Sequence, residues 1–210
     1  LCKPVFLIWV PLLFVVLWKA RIRHGICGAK YMTLVVLTLV LTIVPWTLRN
    51  KQVSGHPVPI STNLGINLLV GHEPSATGRY SDEADYWHMV EEIAGGEKDP
   101  VLRDALVARH VLQGMVAQPL RTLRLGAIKV ASLWIPFGQD ASTVRAIGLG
   151  LMGALVLLLG AIGLWYMRHS PVSWSALSLL VALVGVHALF FAHVRFRLPI
   201  DLALIAPVAC

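Results

Sequence analysis

The feature that most limits the fold of this chain is a run of twenty-two residues, Ala146 to Met167, without a charged side chain. A helix rises about 1.5 Å per residue, so roughly twenty apolar residues cross the ~30 Å hydrocarbon core of a bilayer. Inside lipid the backbone must bond to itself, which selects α-helices for such runs. We therefore expect an all-α, polytopic transmembrane protein with a small extracytoplasmic region made of a loop and a helical hairpin.

The composition supports a membrane protein and argues against other classes. Hydrophobic residues make up 57% of the chain and charged residues 14%, which is typical of integral membrane proteins. The net charge is +7, but the basic residues stand at the ends of apolar runs, so we expect no nucleic-acid partner. Cys2, Cys27 and Cys210 lack CxxC spacing, and no metal site is expected. Because the sequence starts with Leu inside an apolar run and stops inside another at Cys210, we expect a fragment of a longer protein.

The distribution of Lys and Arg predicts the topology. The cluster from Lys19 to Lys30 contains no acid and is predicted to be cytoplasmic by the positive-inside rule. Residues 1–47 are therefore two spans, Pro4–Trp18 running inward and Tyr31–Trp46 running outward. Residues 144–210 hold the later spans, with Ala146–Met167 leading inward and Val172–Ala192 returning. A further inward span is predicted to begin at Leu202.

Residues 48–119 are predicted to be the loop and helical hairpin on the outer face. From Pro45 to Tyr80 the chain holds four prolines and four glycines, which favours a long ordered loop over a helix. Nine of the eleven acids lie between positions 73 and 104, as in a water-exposed segment. Ser81 is a predicted N-cap for a helix ending at Gly95 and Gly96. Asp99 is the N-cap of a second helix that runs to about Gln118.

Residues 120–143 are predicted to form an interfacial amphipathic segment. Arg121, Arg124 and Lys129 interrupt an apolar run, and each would cost about 2.5 to 3.5 kcal/mol at the centre of a spanning helix. A helix at the membrane surface avoids this cost and leaves its basic side chains within reach of lipid phosphate. The tryptophans at 18, 46, 134 and 165 are predicted to mark the membrane interfaces.

Two sequence patterns resemble one protein family. The first is P-W-T-x-R-N, then V-P-I-S-T-N-x-G-x-N-L, then G-x-x-P-x-A-T-G-x-Y, between Pro45 and Tyr80. The second is R-F-R-L-P-I, from Arg195 to Ile200. Together they resemble bacterial membrane glycosyltransferases of the GT-C type, the relatives of protein O-mannosyltransferases and aminoarabinose transferases. Both patterns fall on the predicted outer face, although neither was used to derive the topology.

The resemblance implies a transferase in the bacterial inner membrane, with residues 48–143 on the periplasmic side. Its donor would be a polyprenyl-phosphate sugar, its acceptor is unspecified, and no other cofactor is implied. The catalytic acid of such enzymes lies in an outer loop nearer the N-terminus, so no catalytic residue is assigned here. Glu73 and Asp201 are the carboxylates nearest the two patterns.

The candidate binding residues are cations and amides near the outer face. Arg is suited to phosphate because its guanidinium donates two parallel hydrogen bonds. The alternative for the cations is interfacial anchoring, and for the asparagines it is turn formation. The donor-phosphate candidates are Arg195, Arg197, Arg49 and Arg79, with Lys129 beside them, and the sugar or acceptor candidates are Asn63, Asn67 and His72.

Other readings remain open at the level of sequence. A lipid-linked sugar transporter or flippase is the main alternative, and a non-catalytic membrane scaffold is another. Gly148, Gly150 and Gly153 spell G-x-G-x-x-G, but inside an apolar run these glycines indicate close helix packing, not dinucleotide binding. His187 lies within a span, where bonding to a neighbouring helix is the more usual role of a lone histidine.

Overall fold

The regular secondary structure of the described residues is α-helical, and short loops connect the helices. A computed structural model describes residues 5–24, 28–78, 86–134, 143–191 and 198–205, and these ranges contain helices and no strand. The all-α prediction is confirmed. The helices are α1 (Val5–His24), α2 (Gly28–Ser54), α3 (Leu64–His72), α4 (Tyr86–Ala94), α5 (Pro100–Ala117), α6 (Pro119–Trp134), α7 (Thr143–Tyr166), α8 (Pro171–Leu189) and α9 (Leu198–Ile205).

Among the described residues, three segments are long and apolar enough to cross a membrane. They are Thr33–Ser54 in α2, Ala146–Tyr166 in α7 and Val172–Leu189 in α8. The chain is thus a membrane-associated helical protein. The first predicted span is also helical, as α1, and it lies along α8, where Trp9 Nε1 donates to Ser178 Oγ at 2.9 Å.

The helix that holds the second predicted span extends beyond Tyr31–Trp46 at both ends, because α2 begins at Gly28 and continues through Pro45 to Ser54. A proline removes one N–H from the helical ladder, but apolar spans tolerate this where hydroxyl groups and neighbouring turns satisfy the backbone. Hydroxyls of α2 donate to carbonyls one turn earlier on both sides of Pro45. The pairs are Thr38 to Leu34, Thr42 to Thr38, Thr47 to Ile43 and Ser54 to Asn50.

The segment predicted as one long loop is a short loop followed by a helix. Residues 55–63 fold back on α2, where Trp46 Nε1 donates to the Ile60 carbonyl at 3.0 Å and Asn50 Nδ2 donates to the Val58 carbonyl at 2.8 Å. The chain then forms α3. The prediction of a loop here is wrong because its glycines and asparagines stand among apolar residues, and burial of that apolar face outweighs the low helix propensity of Gly.

Asp104 of α5 provides the N-terminal cap of α3. Its carboxylate accepts from the backbone N–H groups of Gly65 at 2.8 Å and Leu64 at 3.1 Å. Asn63 occupies the N-cap position but makes no capping bond with its side chain. A Cβ on Gly65 would overlap the Asp104 carbonyl, so the close approach of α3 to α5 requires glycine. The cap and this contact together hold α3 against α5.

The core beneath α3 is formed with α4 and α5. Its buried members are Leu68, Leu69, Val90, Val107, Ala108 and Val111, and Phe190 from the end of α8 packs against them. This region is therefore a small helical subdomain attached to the membrane helices at the carboxyl end of α8.

The predicted helix boundaries in the hairpin are confirmed where the structure describes them. α4 ends at Ala94, followed by Gly95 and Gly96 with φ of 61° and 80°, values that suit glycine. Asp99 Oδ1 accepts from Val101 N at 2.8 Å and Leu102 N at 3.2 Å. The backbone bonds to the carboxylate lower the pKa of Asp99. The predicted cap at Ser81 lies outside the described residues.

A second hydrophobic core joins α6, α7, α8 and α9. Leu133 of α6, Val156 of α7, Leu183 of α8 and Ile200 and Leu204 of α9 are buried together. Among the described residues, no atom lies within 4 Å of a Cβ built at Gly148, so no close packing is seen there. At Gly150 the nearest atom is the Trp134 carbonyl oxygen at 3.8 Å, and Gly153 is buried. The close glycine contact of α7 is at Gly160, whose added Cβ would lie 2.8 Å from Leu204 Cβ.

Replacing Asp104 with Ala is expected to destabilise the helical subdomain by about 0.5 to 2 kcal/mol, because three backbone N–H groups at the start of α3 lose their acceptor. Asp104→Asn keeps one acceptor oxygen and should lose less. The measurement is thermal unfolding of the purified protein in detergent. Equal stability of Asp104→Ala and the wild type would contradict the assigned cap.

Candidate functional site

The predicted site residues fall in different environments. His72 is buried at the end of α3, Asn67 is half-buried within α3, and Asn63 is exposed before it. Asn67 therefore shapes no turn. Arg49 is exposed in α2, with its guanidinium 5.1 Å from the centre of the Trp46 ring. The three remaining candidates, Arg79, Arg195 and Arg197, lie outside the described residues.

The carboxyl end of α3 meets the carboxyl end of α8. His72 Nε2 lies 2.7 Å from the Leu189 carbonyl oxygen, and Gly71 lies so close to Phe190 that an added Cβ would overlap its carbonyl. The unpaired carbonyls at a helix carboxyl end carry partial negative charge. Two such ends placed together repel each other unless cations or donors lie between them.

Lys129 of α6 lies between these two helix ends. It is completely buried, and its Nζ is 3.0 Å from His72 Nε2, 3.3 Å from the Leu189 carbonyl oxygen and 3.4 Å from that of Ala188. A buried ammonium is unfavourable without compensation. Here the compensation comes from helix carbonyls. The prediction that Lys129 is a cation available at the outer face is wrong, because its amine points into the protein.

Arg121 compensates the end of α3 from the same face of α6. Its Nη2 donates to the Glu73 carbonyl at 2.7 Å and the Pro74 carbonyl at 3.1 Å, and its Nη1 donates to the His72 carbonyl at 3.2 Å. Arg121 and Lys129 are eight residues apart, about two helical turns, and so share one side of α6. α6 thus supplies one cation to each of the two helix ends.

The contact with Leu189 sets the tautomer of His72. A carbonyl only accepts, so the 2.7 Å contact with Leu189 requires a proton on His72 Nε2. The 3.0 Å approach of Lys129 Nζ to that N–H is a hydrogen bond when the amine is neutral and turns its lone pair toward it. A charged Lys129 donates instead to the carbonyls of Leu189 and Ala188.

Burial lowers the pKa of both groups. Desolvation, with the positive charge of Arg121 as a second cause, lowers the pKa of Lys129 to about 8. Desolvation, followed by the charge of Lys129, lowers the pKa of His72. Both shifts disfavour the accumulation of charge here, and they bring the titration of Lys129 close to neutral pH.

A cleft of about 810 Å³ opens beside this junction, between the end of α3 and helices α4, α5 and α6. Glu73 at its edge is buried, and its carboxylate accepts from the Ser75 backbone N at 2.8 Å and from Ser75 Oγ at 2.7 Å. The volume would admit a molecule of a few hundred daltons. The polar lining residues are His72, Glu73, Glu92, His110, Gln118, Arg121 and Thr122, and the apolar ones include Leu69, Met89, Ile93, Val111 and Met115.

The cleft combines carboxylates, imidazoles, an amide and a hydroxyl over an apolar floor, which suits a ligand with hydroxyl groups and some apolar surface. The described residues hold no group of three or more His, Cys, Asp or Glu side chains that could bind a metal ion. Sequence reasoning missed Arg121, Glu92 and His110 as site residues. The sequence does contain a pattern that points to Arg121. Arg121, Leu125 and Lys129 are spaced by four residues, which places both cations on the same helix face as a leucine.

His187 of α8 lies two residues before Leu189 and is buried. Its Nδ1 contacts the Leu183 carbonyl at 2.6 Å, within its own helix. The hydrogen-bonding contact of His187 with Leu183 lies within α8 itself.

Comparison of the chain with protein-family models, with curated proteins and with solved structures gives no match.

The lowered pKa of Lys129 predicts a pH dependence of stability. Between pH 8 and 10.5 the unfolded chain binds a proton at Lys129 that the folded protein does not, so the free energy of unfolding should rise with pH. The rise attributable to this residue is on the order of 2 to 3 kcal/mol. Thermal unfolding in detergent across this range, with wild type and Lys129→Met, measures it.

The matched control for this experiment is Lys98→Met, which changes an exposed lysine before α5. We expect Lys98→Met to follow the wild-type pH dependence and Lys129→Met to show a flatter one. Parallel curves for wild type and Lys129→Met would contradict the assigned burial of the amine.

Replacing Gly71 with Ala is expected to destabilise the protein by about 1 to 3 kcal/mol, because the new methyl group overlaps the Phe190 backbone and lies 2.9 Å from Lys129 Nζ. Gly114→Ala in α5 is the control, since its Cβ has open space, and it should gain about 1 kcal/mol from helix propensity. Unfolding temperatures of both variants in detergent test this. A Gly71→Ala variant as stable as Gly114→Ala would rule out the close contact between α3 and α8.

Proposed function

We propose that this chain is the C-terminal part of a GT-C-type membrane glycosyltransferase. The complete enzyme would transfer a sugar from a polyprenyl-phosphate carrier to an acceptor at the periplasmic face of the bacterial inner membrane. The three helices long and apolar enough to cross a membrane support the membrane location that the proposal assumes.

The observation that carries the proposal is the contact of the first resembling segment with the residues that precede the second. Gly71 and His72, from the first segment, contact Leu189 and Phe190, which come a few residues before Arg195 in the sequence. These residues are more than a hundred positions apart in sequence, so the contact is made by folding alone. A donor site assembled from both segments is consistent with it.

α6 connects the second segment with the junction between His72 and the end of α8. Ile200, the last residue of R-F-R-L-P-I, is completely buried in one cluster with Leu133. Leu133 is one helical turn from Lys129, the residue that bonds to His72. A single face of α6 therefore contacts parts of both segments, which supports their joint role in one site.

In this proposal Arg195 and Arg197 hold the donor phosphate, because guanidinium groups bind phosphate through paired hydrogen bonds and stabilise the charge that develops as the sugar leaves. Arg49 and Arg79 are assigned secondary roles at the same membrane depth. Arg49 stacks on Trp46, a pairing suited to the headgroup region. Asn63 remains a candidate for the sugar hydroxyls because it is exposed.

The cleft beside His72 is proposed as the space for the acceptor. Its carboxylates and imidazoles can accept hydrogen bonds from hydroxyl groups, and His72 belongs both to its lining and to the junction with α8. The donor phosphate and the acceptor would then be held on two sides of one junction. No catalytic base is assigned among the residues of this chain.

The test is sugar transfer from a radiolabelled polyprenyl-phosphate donor by the full-length gene product in detergent. The double change Arg195→Ala and Arg197→Ala should lower the rate by about 100-fold or more, as expected for removal of groups that stabilise transition-state charge. Arg168→Ala is the matched control. Arg168 is exposed just after the carboxyl end of α7, where its guanidinium stacks on Trp165.

The outcomes separate the proposal from its main alternative. Loss of transfer in the double variant with unchanged unfolding temperature, and retention in Arg168→Ala, would support a transferase with its phosphate site at these arginines. Binding of the lipid carrier without transfer of several donor sugars would overturn the transferase proposal and favour a transporter.

A further inference from the structure

The two faces of α6 are arranged in the opposite way to those of a helix on a water-soluble domain. The face turned into the protein carries Arg121, Lys129 and Ser132 beside Leu125 and Leu133, and Lys129, Ser132 and both leucines are buried. A helix that packs on a soluble core buries apolar residues and exposes charged ones. Two of the three cations of α6, Arg121 and Lys129, face inward because they donate to carbonyls at the ends of α3 and α8.

The outward face of α6 is mainly apolar. Leu120 and Leu123 are 81% and 70% exposed, and Ala127 and Ala131 continue the stripe at helical spacing. At the elbow before Pro119, the end of α5 adds Val116 at 81% exposure and Leu112 at 46%. We call Leu112, Val116, Leu120 and Leu123 the elbow patch. Four large aliphatic side chains this exposed and this close in sequence indicate contact with a non-aqueous partner.

The surroundings of the elbow patch identify the partner. From residue 105 to residue 138 the chain contains no acid, while Arg109 and Arg124 are exposed beside the patch. Basic residues around apolar ones suit anionic lipid headgroups over an acyl layer. α6 also packs on α8 and α7, both of which hold membrane-crossing candidates. The patch thus continues the apolar surface of the membrane helices.

We propose that the elbow between α5 and α6 inserts into the outer leaflet of the membrane that α7 and α8 cross. The elbow patch lies among the acyl chains, and Arg109 and Arg124 lie at the level of the phosphates. The carboxyl end of α5, which composition places in the water-exposed region, is therefore a membrane contact. This inference rests on the exposed faces of α5 and α6 and does not depend on the proposed transferase activity.

The insertion has a consequence for the cleft. Its lining on α5 and α6 includes Val111, Met115, Gln118, Arg121 and Thr122, which alternate in sequence with the members of the elbow patch. With the patch in lipid, the cleft lies directly above the headgroups. A ligand carried on a lipid would meet the cleft without leaving the membrane surface.

The test is spin-label accessibility of the full chain in vesicles of phosphatidylethanolamine and phosphatidylglycerol. All three native cysteines are replaced by Ala, and a nitroxide is placed at Leu123→Cys. Leu158→Cys, exposed in the middle of α7, is the lipid reference, and Glu91→Cys, exposed in α4, is the water reference. Collision with oxygen reports lipid, and collision with a water-soluble nickel chelate reports water.

We expect oxygen collisions to exceed nickel collisions at 123, by a smaller ratio than at the deeper position 158, and the ratio to be reversed at 91. A ratio at 123 equal to that at 91 would overturn the proposal, and so would an immobilised label reached by neither reagent, which indicates a protein partner. Ala127→Cys repeats the test with a smaller change of side chain, in case labelling at 123 disturbs the fold.

Discussion

The fold depends on how the protein places two helix carboxyl ends side by side. α3 and α8 meet at Gly71, His72, Leu189 and Phe190, and the carbonyl groups at both ends repel each other. Arg121 and Lys129 resolve this by donating to the carbonyls of α3 and α8 respectively. Lys129 therefore needs no carboxylate partner, since its compensating charge is that of the helix ends.

This requirement explains the orientation of α6. Because Arg121 and Lys129 must point at α3 and α8, the face that bears them turns inward, and the leucines at 120 and 123 turn outward with Arg124. In water such an arrangement would expose apolar surface without compensation. At a membrane surface the inward cations bond to helix carbonyls and the outward leucines contact lipid, so both faces of α6 are in favourable surroundings. The polar junction and the lipid contact are thus two results of one helix orientation.

The features that the sequence predicts well are local. The cap at Asp99, the end of α4 at Gly95 and the spans in α7 and α8 depend on residues within a few positions of each other. The long-range features were predicted poorly. The prediction of a loop at α3 fails because the cap of this helix, Asp104, lies forty residues later. The prediction of an outward cation at Lys129 fails because nothing near it in sequence indicates that α8 ends beside it.

The junction also determines how the subdomain and the membrane helices can move. In the part of the chain that the structure describes, the core of α3, α4 and α5 and the core of α6 to α9 share no buried hydrophobic residue. Phe190 and the hydrogen bonds of Arg121 and Lys129 connect them. Hydrogen bonds are directional and lengthen quickly when helices slide, whereas apolar contacts tolerate sliding. A shift of α8 along its axis would therefore break the bonds of Lys129 and release His72, so the position of α8 and the shape of the neighbouring cleft are coupled.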